Sequence, residues 1–300
     1  MTGSIPRSIG NFCNLKYLDL SLNNLNGSLP EIIKGIETCN SKSPLPNLRE
    51  VYLDKSQLMG KFPCWLGELK ELRGLHLSYN KFKGPIPTFL GALQHLEYMN
   101  LVENELNGSL SDCIGQLSQL KELLVSFNHL SGNLPDSIGQ LSQLQLLDVF
   151  SNHLSGRLPD SIEQLSQLQQ LEVSFNHLSG SLLDGVEQLS QLQQLGVSSN
   201  DLSGSLPNSI GQLSQLQELD VSFNHLSGSL PNSIGQLSQL QQLDVSLNHL
   251  SGSLPNRIEQ LSKLQVLDVS FNDLSGTLSK QHLWKLSWSI FYTWTPILSV

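Results

Sequence analysis

The chain has 300 residues, a net charge of −9, only 14% charged and 6% aromatic residues, and an apolar content dominated by leucine. The acidic balance argues against a nucleic-acid partner, whose phosphates require a basic face, and no Lys/Arg block marks an anionic membrane surface. There is enough aliphatic side chain to bury a core, so a disordered chain is excluded as well.

In chain order, the N-terminal MTGSIPRSIGNF carries no charged segment followed by an apolar stretch, so no secretory leader is read there. Met1–Pro6 already match the turn of a repeating unit that becomes plain further on. Asn80, Asn104, Asn128, Asn152, Asn176, Asn200, Asn224, Asn248 and Asn272 fall 24 residues apart without a slip. Asn23 marks an earlier copy and Ser56 holds the equivalent place in another, with an insertion at 37–47 between them. A fixed period of this length marks a solenoid, in which no unit buries enough apolar surface alone and copies must stack on a shared core.

The unit beginning at Leu216 shows the local logic. Leu219, Asp220, Val221 and Ser222 alternate apolar with polar, which predicts a short strand with one buried face. Asn224 follows where the chain must turn, and a buried amide there can satisfy backbone groups that the turn leaves unpaired, so a ladder of asparagines is expected. Leu226, Gly228 and Leu230-Pro231 carry the chain round, because glycine permits tight turning and proline refuses regular helix. Ile234, Leu237 and Leu240 return it to the next strand. Parallel strands about 4.8 Å apart would line the concave side of a solenoid on the order of 50 Å long. Residues 1–287 are read as this solenoid and 288–300 as a tail outside it. The final LSWSIFYTWTPILSV is short for a membrane span and contains Pro296.

The pattern L-x-x-L-x-L-S-x-N-x-L-S-G-x-L-P-x-x-I-G-x-L resembles the plant-specific class of leucine-rich repeat, the L-S-G-x-L-P segment (LSGRLP at Leu154–Pro159) being its mark. EIIKGIETC, LMGKFPCWLGELKELRGL and LEYMNLVENELNGSL look like plant receptor-like proteins and receptor-like kinases of elicitor perception. That resemblance implies an α/β repeat solenoid, a parallel sheet on the concave face and turns, 3-10 or short helical segments on the convex face. It also implies an extracellular ectodomain at the plasma membrane that binds a peptide, protein or elicitor for defence or developmental signalling, with a co-receptor kinase as a further partner. The alternatives are a secreted inhibitor of a pathogen cell-wall-degrading enzyme, similar to polygalacturonase-inhibiting proteins, and a nonfunctional fragment of a duplicated locus. No family leader or cap and no kinase signature is found, so the chain is read as part of an ectodomain.

Neither catalysis nor a cofactor is expected, since each Ser, His and Asp follows from repeat position and no G-x-S-x-G occurs. His129, His153, His177, His225 and His249 recur after the ladder Asn, but Asp201 and Asp273 replace them without breaking the pattern. A metal site is therefore set aside in favour of a mild pH response. Asp148, Glu172, Asp220, Asp244 and Asp268 form one concave column, read as the ordinary wording of this strand before an acidic stripe. Cys13 and Cys39 sit one repeat apart at nearly the same place and are expected to bridge in secreted protein. Cys64 and Cys113, two repeats or about 10 Å apart, cannot. The sequons at Asn26 and Asn107 are expected as glycosylation sites in exposed turns. The ligand surface is expected where concave positions depart from the repeated wording, at Tyr17, Tyr52, His76, Tyr98, Asn100 and Val102, with Leu124 and Phe150 further along.

Overall fold

The protein is described from a computed structural model over residues 1–30, 45–182 and 185–276. Each repeat supplies a three-residue strand such as Glu218–Asp220, a four-residue strand such as His225–Gly228 and a 3-10 helix such as Asn232–Gln236. The first strands pair in parallel into an eleven-stranded concave sheet running from Tyr17–Asp19 to Val266–Asp268. The helical side consists of 3-10 turns, and no α-helix occurs among the described residues. A five-residue return between one proline and one leucine, as between Pro231 and Leu237, is too short for a regular α-helix, and 3-10 geometry closes it in fewer residues per turn.

Two details differ from the sequence reading. The concave strand occupies Glu218–Asp220, starting one residue before Leu219 and ending before Val221. The L-S-G segment, expected as a turn, is itself a strand and builds a second, ten-stranded sheet. Its registers differ from those of the first. In the concave sheet Glu218 pairs with Gln242 at the equivalent position one repeat on. In the second sheet Ser227 pairs with His249, two residues short of the equivalent Ser251, so these strands run staggered. Gly228 closes its strand at φ 76°, a region that L side chains avoid, which is why the segment keeps the glycine of a turn.

Leucine, isoleucine and valine from every repeat merge into one continuous core. The ladder asparagines line its edge. Asn152 Nδ2 donates to the carbonyls of Val125 (3.1 Å), Val149 (3.1 Å) and Phe150 (3.3 Å), and its Oδ1 accepts from the Leu130 amide at 2.9 Å. One side chain thus bonds backbone of two adjacent repeats, and the same set recurs from Asn80 to Asn272. Asn23, at the N-terminal end, bonds Leu20 and Ser21 carbonyls. Ser56 reaches two carbonyls, Leu20 and Asp54, and its own amide donates to Asn80 Oδ1.

Cys13 is disulfide-bonded and Cys39, its expected partner, lies outside the described residues, as do most of the insertion at 37–47 and the tail at 288–300. Cys64 and Cys113 are free.

A packing exchange between neighbouring 3-10 turns offers a test. At Gly139 an added Cβ would stand 2.4 Å from the Ser161 carbonyl oxygen of the next repeat, so glycine is required. One repeat later the glycine has moved to the other side of the contact. Glu163 replaces the Gly, and Gly185 replaces the facing Ser; the Gly185 amide donates to Glu163 Oε1 at 2.9 Å. Gly139→Ala should destabilise the protein by about 1–3 kcal/mol, because its Cβ meets backbone, and Gly185→Ser by less than about 1 kcal/mol, because it meets only the flexible end of Glu163; one repeat on, Glu187 and Ser209 already hold these two places. Urea denaturation of the two variants measures this. An equal or larger loss from Gly185→Ser would contradict it.

Candidate functional site

Concave strands are three residues long with the middle one buried, so both flanking residues face out. Because registers match one full repeat apart, these outward residues line up in columns across the sheet. One column reads Asp19, Tyr52, His76, Asn100, Leu124, Asp148, Glu172, Gly196, Asp220, Asp244 and Asp268. The column before it begins Tyr17, Glu50, Gly74, Tyr98.

Among the sequence candidates, Tyr17, Tyr52 and His76 come together. The Tyr17 and Tyr52 rings are 5.2 Å apart, and Tyr52 stacks on His76 at 4.4 Å with 5° between planes. Burial, then the charge of Glu50, pushes the Tyr52 phenol up from its ordinary value. Tyr98 stands apart from this stack, with the Lys121 ammonium 5.8 Å from its ring centre. Lys121 and Arg73 both bond Glu97, at 2.7 and 2.8 Å, and the Lys121 contact holds the Glu97 carboxyl below its usual range. Asn100 Oδ1 accepts from the Val102 amide at 3.1 Å, leaving Val102 half-buried beside it. Leu124 ends its strand half-buried.

Phe150 belongs to a group the sequence reading did not assemble. Its ring lies 5.1 Å from Phe127 and 5.1 Å from Phe175, which are 51% and 54% exposed. Phe127 and Phe175 precede their ladder asparagines with φ of 53° and 56°, left-handed backbone that a bulky residue adopts only under constraint. The signal was present in the recurrent S-F-N wording, where an outward aromatic has no packing role.

The remaining expectations fall elsewhere on the molecule. His129, His153 and His177 stack at 5.7 and 6.2 Å, and His225 and His249 at 6.0 Å, all in second-sheet strands. Among the described residues no three His, Cys, Asp or Glu group to hold a metal ion. Asn26 is exposed just after the strand Asn24–Leu25, while Asn107 sits inside the strand Glu105–Gly108 and not in a turn, exposed nonetheless because it alternates with buried Leu106. No helix of the described residues is long and apolar enough to cross a membrane.

The sequence profile of a leucine-rich repeat region matches residues 32–182 and 174–287, and a single leucine rich repeat matches 14–36. The chain belongs to the leucine-rich-repeat family. It is similar to the ectodomain of the plant membrane receptor kinase GASSHO1/SCHENGEN3 from Arabidopsis thaliana, solved with CASPARIAN STRIP INTEGRITY FACTOR 2, at 35% identity and TM-score 0.89 over 95% of this chain and 33% of that one. The Arabidopsis receptor kinase HAESA, in complex with the peptide hormone IDA and the co-receptor SERK1, gives 32% identity and TM-score 0.88 over 96% of this chain and 47% of that one. A plant ice-binding protein matches at 28% identity and TM-score 0.68, over 87% of this chain and 81% of that one. No curated protein matches the sequence. This leucine-rich-repeat chain is thus of the plant receptor-ectodomain type and spans a third to about half of the receptor chains it matches. The fold also serves a protein with another role, so function must be argued from the site.

Titration of the acidic column is testable. Burial raises the Glu172 and Asp244 carboxyls above their ordinary values, with neighbouring Asp residues adding to the effect. A carboxyl that holds its proton more tightly when folded contributes stability at low pH that is lost as pH rises through its folded pKa. The double variant Glu172→Gln, Asp244→Asn should melt a few degrees above the native chain at pH 7. The gap should close as pH falls toward the ordinary carboxyl range. Melting curves at several pH values decide it, and a variant that melts lower at pH 7 would contradict it.

Proposed function

We propose that the concave face of this chain binds an extended peptide or protein ligand at the outer surface of a plant cell, as the recognition part of a receptor for defence or developmental signalling. The observation that carries the reading is the Tyr17–Tyr52–His76 stack, set on outward positions of a strand face where it closes no core. Aromatic side chains offer large contact area and polar atoms for little loss of rotamer freedom, which is why they anchor interfaces. Tyr98, Asn100, Val102, Leu124 and Phe150 extend the surface toward the middle of the sheet. The peptide ligands and the co-receptor found with similar receptors support a peptide or protein ligand and a co-receptor kinase as partners. Asn26 and Asn107 lie outside the concave strands, so glycans there would leave the binding face open. No catalytic step is assigned to the chain.

The test uses peptides selected against the purified chain from a random displayed library. Their affinity is compared between the native chain, a Tyr52→Ala, His76→Ala, Tyr98→Ala variant and a Gln242→Ala, Asp244→Ala, Asp268→Ala variant. The first set should weaken binding about tenfold or more and the second less than about twofold. Equal loss from both sets, or loss from the second alone, would place the site elsewhere.

A further inference from the structure

Midway along the concave sheet the outward column loses a side chain at Gly196. The Glu172 carboxyl leans into that space, and a Cβ on Gly196 would stand 2.2 Å from Glu172 Oε2. Beside Glu172 lies a depression of ≈ 220 Å³ bounded by Leu124, Leu146, Asp148, Gln170, Glu172 and Gln194. Phe150, two residues after Asp148 of this lining, lies between the Phe127 and Phe175 rings and joins them into an aromatic rim. Phe150 stands where the flanking repeats have Ser126 and Ser174, so the rim is continuous only at this point. The backbone at Phe127 and Phe175 is left-handed, as it is at this place in the other repeats, so the fold turns these two rings outward.

The charge around the depression is one-sided. Glu172 faces Asp148 and Asp220, and between Lys121 and Arg257 the only Lys or Arg is Arg157, which follows a second-sheet strand. Lys121 is already engaged with Glu97. Carboxylates beside apolar walls and without a cation of their own are complementary to a side chain that joins an aliphatic stem to a positive head.

We infer that this part of the concave face takes a basic segment of an extended peptide, with one Arg or Lys stem along Leu124 and Leu146, its head at Glu172 and Asp148 over Gly196, and a neighbouring apolar side chain against the Phe127–Phe150–Phe175 rim. The inference rests on the concave face being the ligand surface and adds the chemistry of the ligand. Burial and neighbouring carboxylates raise the Glu172 carboxyl, which is the direction that an incoming cation reverses.

The experiment uses a blocked pentapeptide, acetyl-Gly-Leu-Arg-Phe-Gly-amide, and its twin with citrulline for arginine, titrated calorimetrically into the whole chain. The arginine peptide should bind about tenfold more tightly than its twin. Gly196→Asp separates a shaped site from diffuse attraction to an acidic protein, because it adds a negative charge while its Cβ displaces the Glu172 carboxyl. Gly196→Asp and Phe150→Ser should each weaken the arginine peptide about fivefold or more, and Asp268→Asn should leave it within about twofold. Both variants install residues that equivalent positions already carry, and circular dichroism checks that they fold. No preference for arginine, tighter binding by Gly196→Asp, or an equal loss from Asp268→Asn would overturn the inference. None of these outcomes touches the Tyr52, His76 and Tyr98 comparison, so the broader reading stands or falls separately.

Discussion

Every turn that leaves the concave sheet strands backbone carbonyls inside the solenoid, where water cannot reach them, and a buried unpaired carbonyl destabilises the fold by about 1–3 kcal/mol. The asparagine ladder is the answer to that constraint. An amide has two donor hydrogens and a carbonyl acceptor in one plane, so Asn176 can bond the carbonyls of Val149, Val173 and Ser174 while accepting from the Leu154 amide. No apolar side chain can do this, and an aspartate would bring only acceptors to a row of acceptors. Because each amide bonds backbone of two repeats, it ties each repeat to the next.

Once ladder and leucines hold the register, the outward strand positions keep only a local duty, as where Asp244 accepts from the Ser246 amide two residues on. They form columns by geometry alone, so one substitution in one repeat changes one place on an otherwise uniform sheet. Tyr52 beside His76, Phe150 between Phe127 and Phe175, and Gly196 after Glu172 are changes of this kind. A repeat array is therefore able to build a local site without disturbing its own folding, since each unit contacts only its neighbours. The same logic explains why Ser56 can stand in the ladder. Its hydroxyl donates to the Leu20 carbonyl, and the neighbouring Asn80 supplies the acceptor for its amide.

The solenoid, the ladder and the buried leucines were legible in the sequence because they are enforced at every period. What escaped was either hidden by the repeat or contrary to local wording. Leu226-Ser227-Gly228 reads as a turn, and Gly228 does hold positive φ, yet the segment also pairs with its neighbour in a register shifted by two residues. Asn107 was misplaced for the same reason. Phe127 and Phe175 stand in a recurring wording that does not single them out, and it is their left-handed backbone that puts them on the surface. Gly196 gave no signal at all, since a missing side chain has meaning only beside the neighbours that lean over it. Tyr17, Tyr52 and His76 were found because aromatic residues replaced the usual Asp and Gln, but only the structure showed that their rings touch.

The ladder's role in binding repeat to repeat is tested most directly by hydrogen exchange on Asn152→Ala. This change removes the acceptor of the Leu130 amide and the donors to Val125, Val149 and Phe150 at once. Amide exchange should accelerate about tenfold or more across the repeats on both sides, roughly residues 125–178, and remain native from Asn224 onward. Acceleration confined to the Leu130 amide, or none, would mean that leucine packing alone sets the register and that the ladder only occupies it.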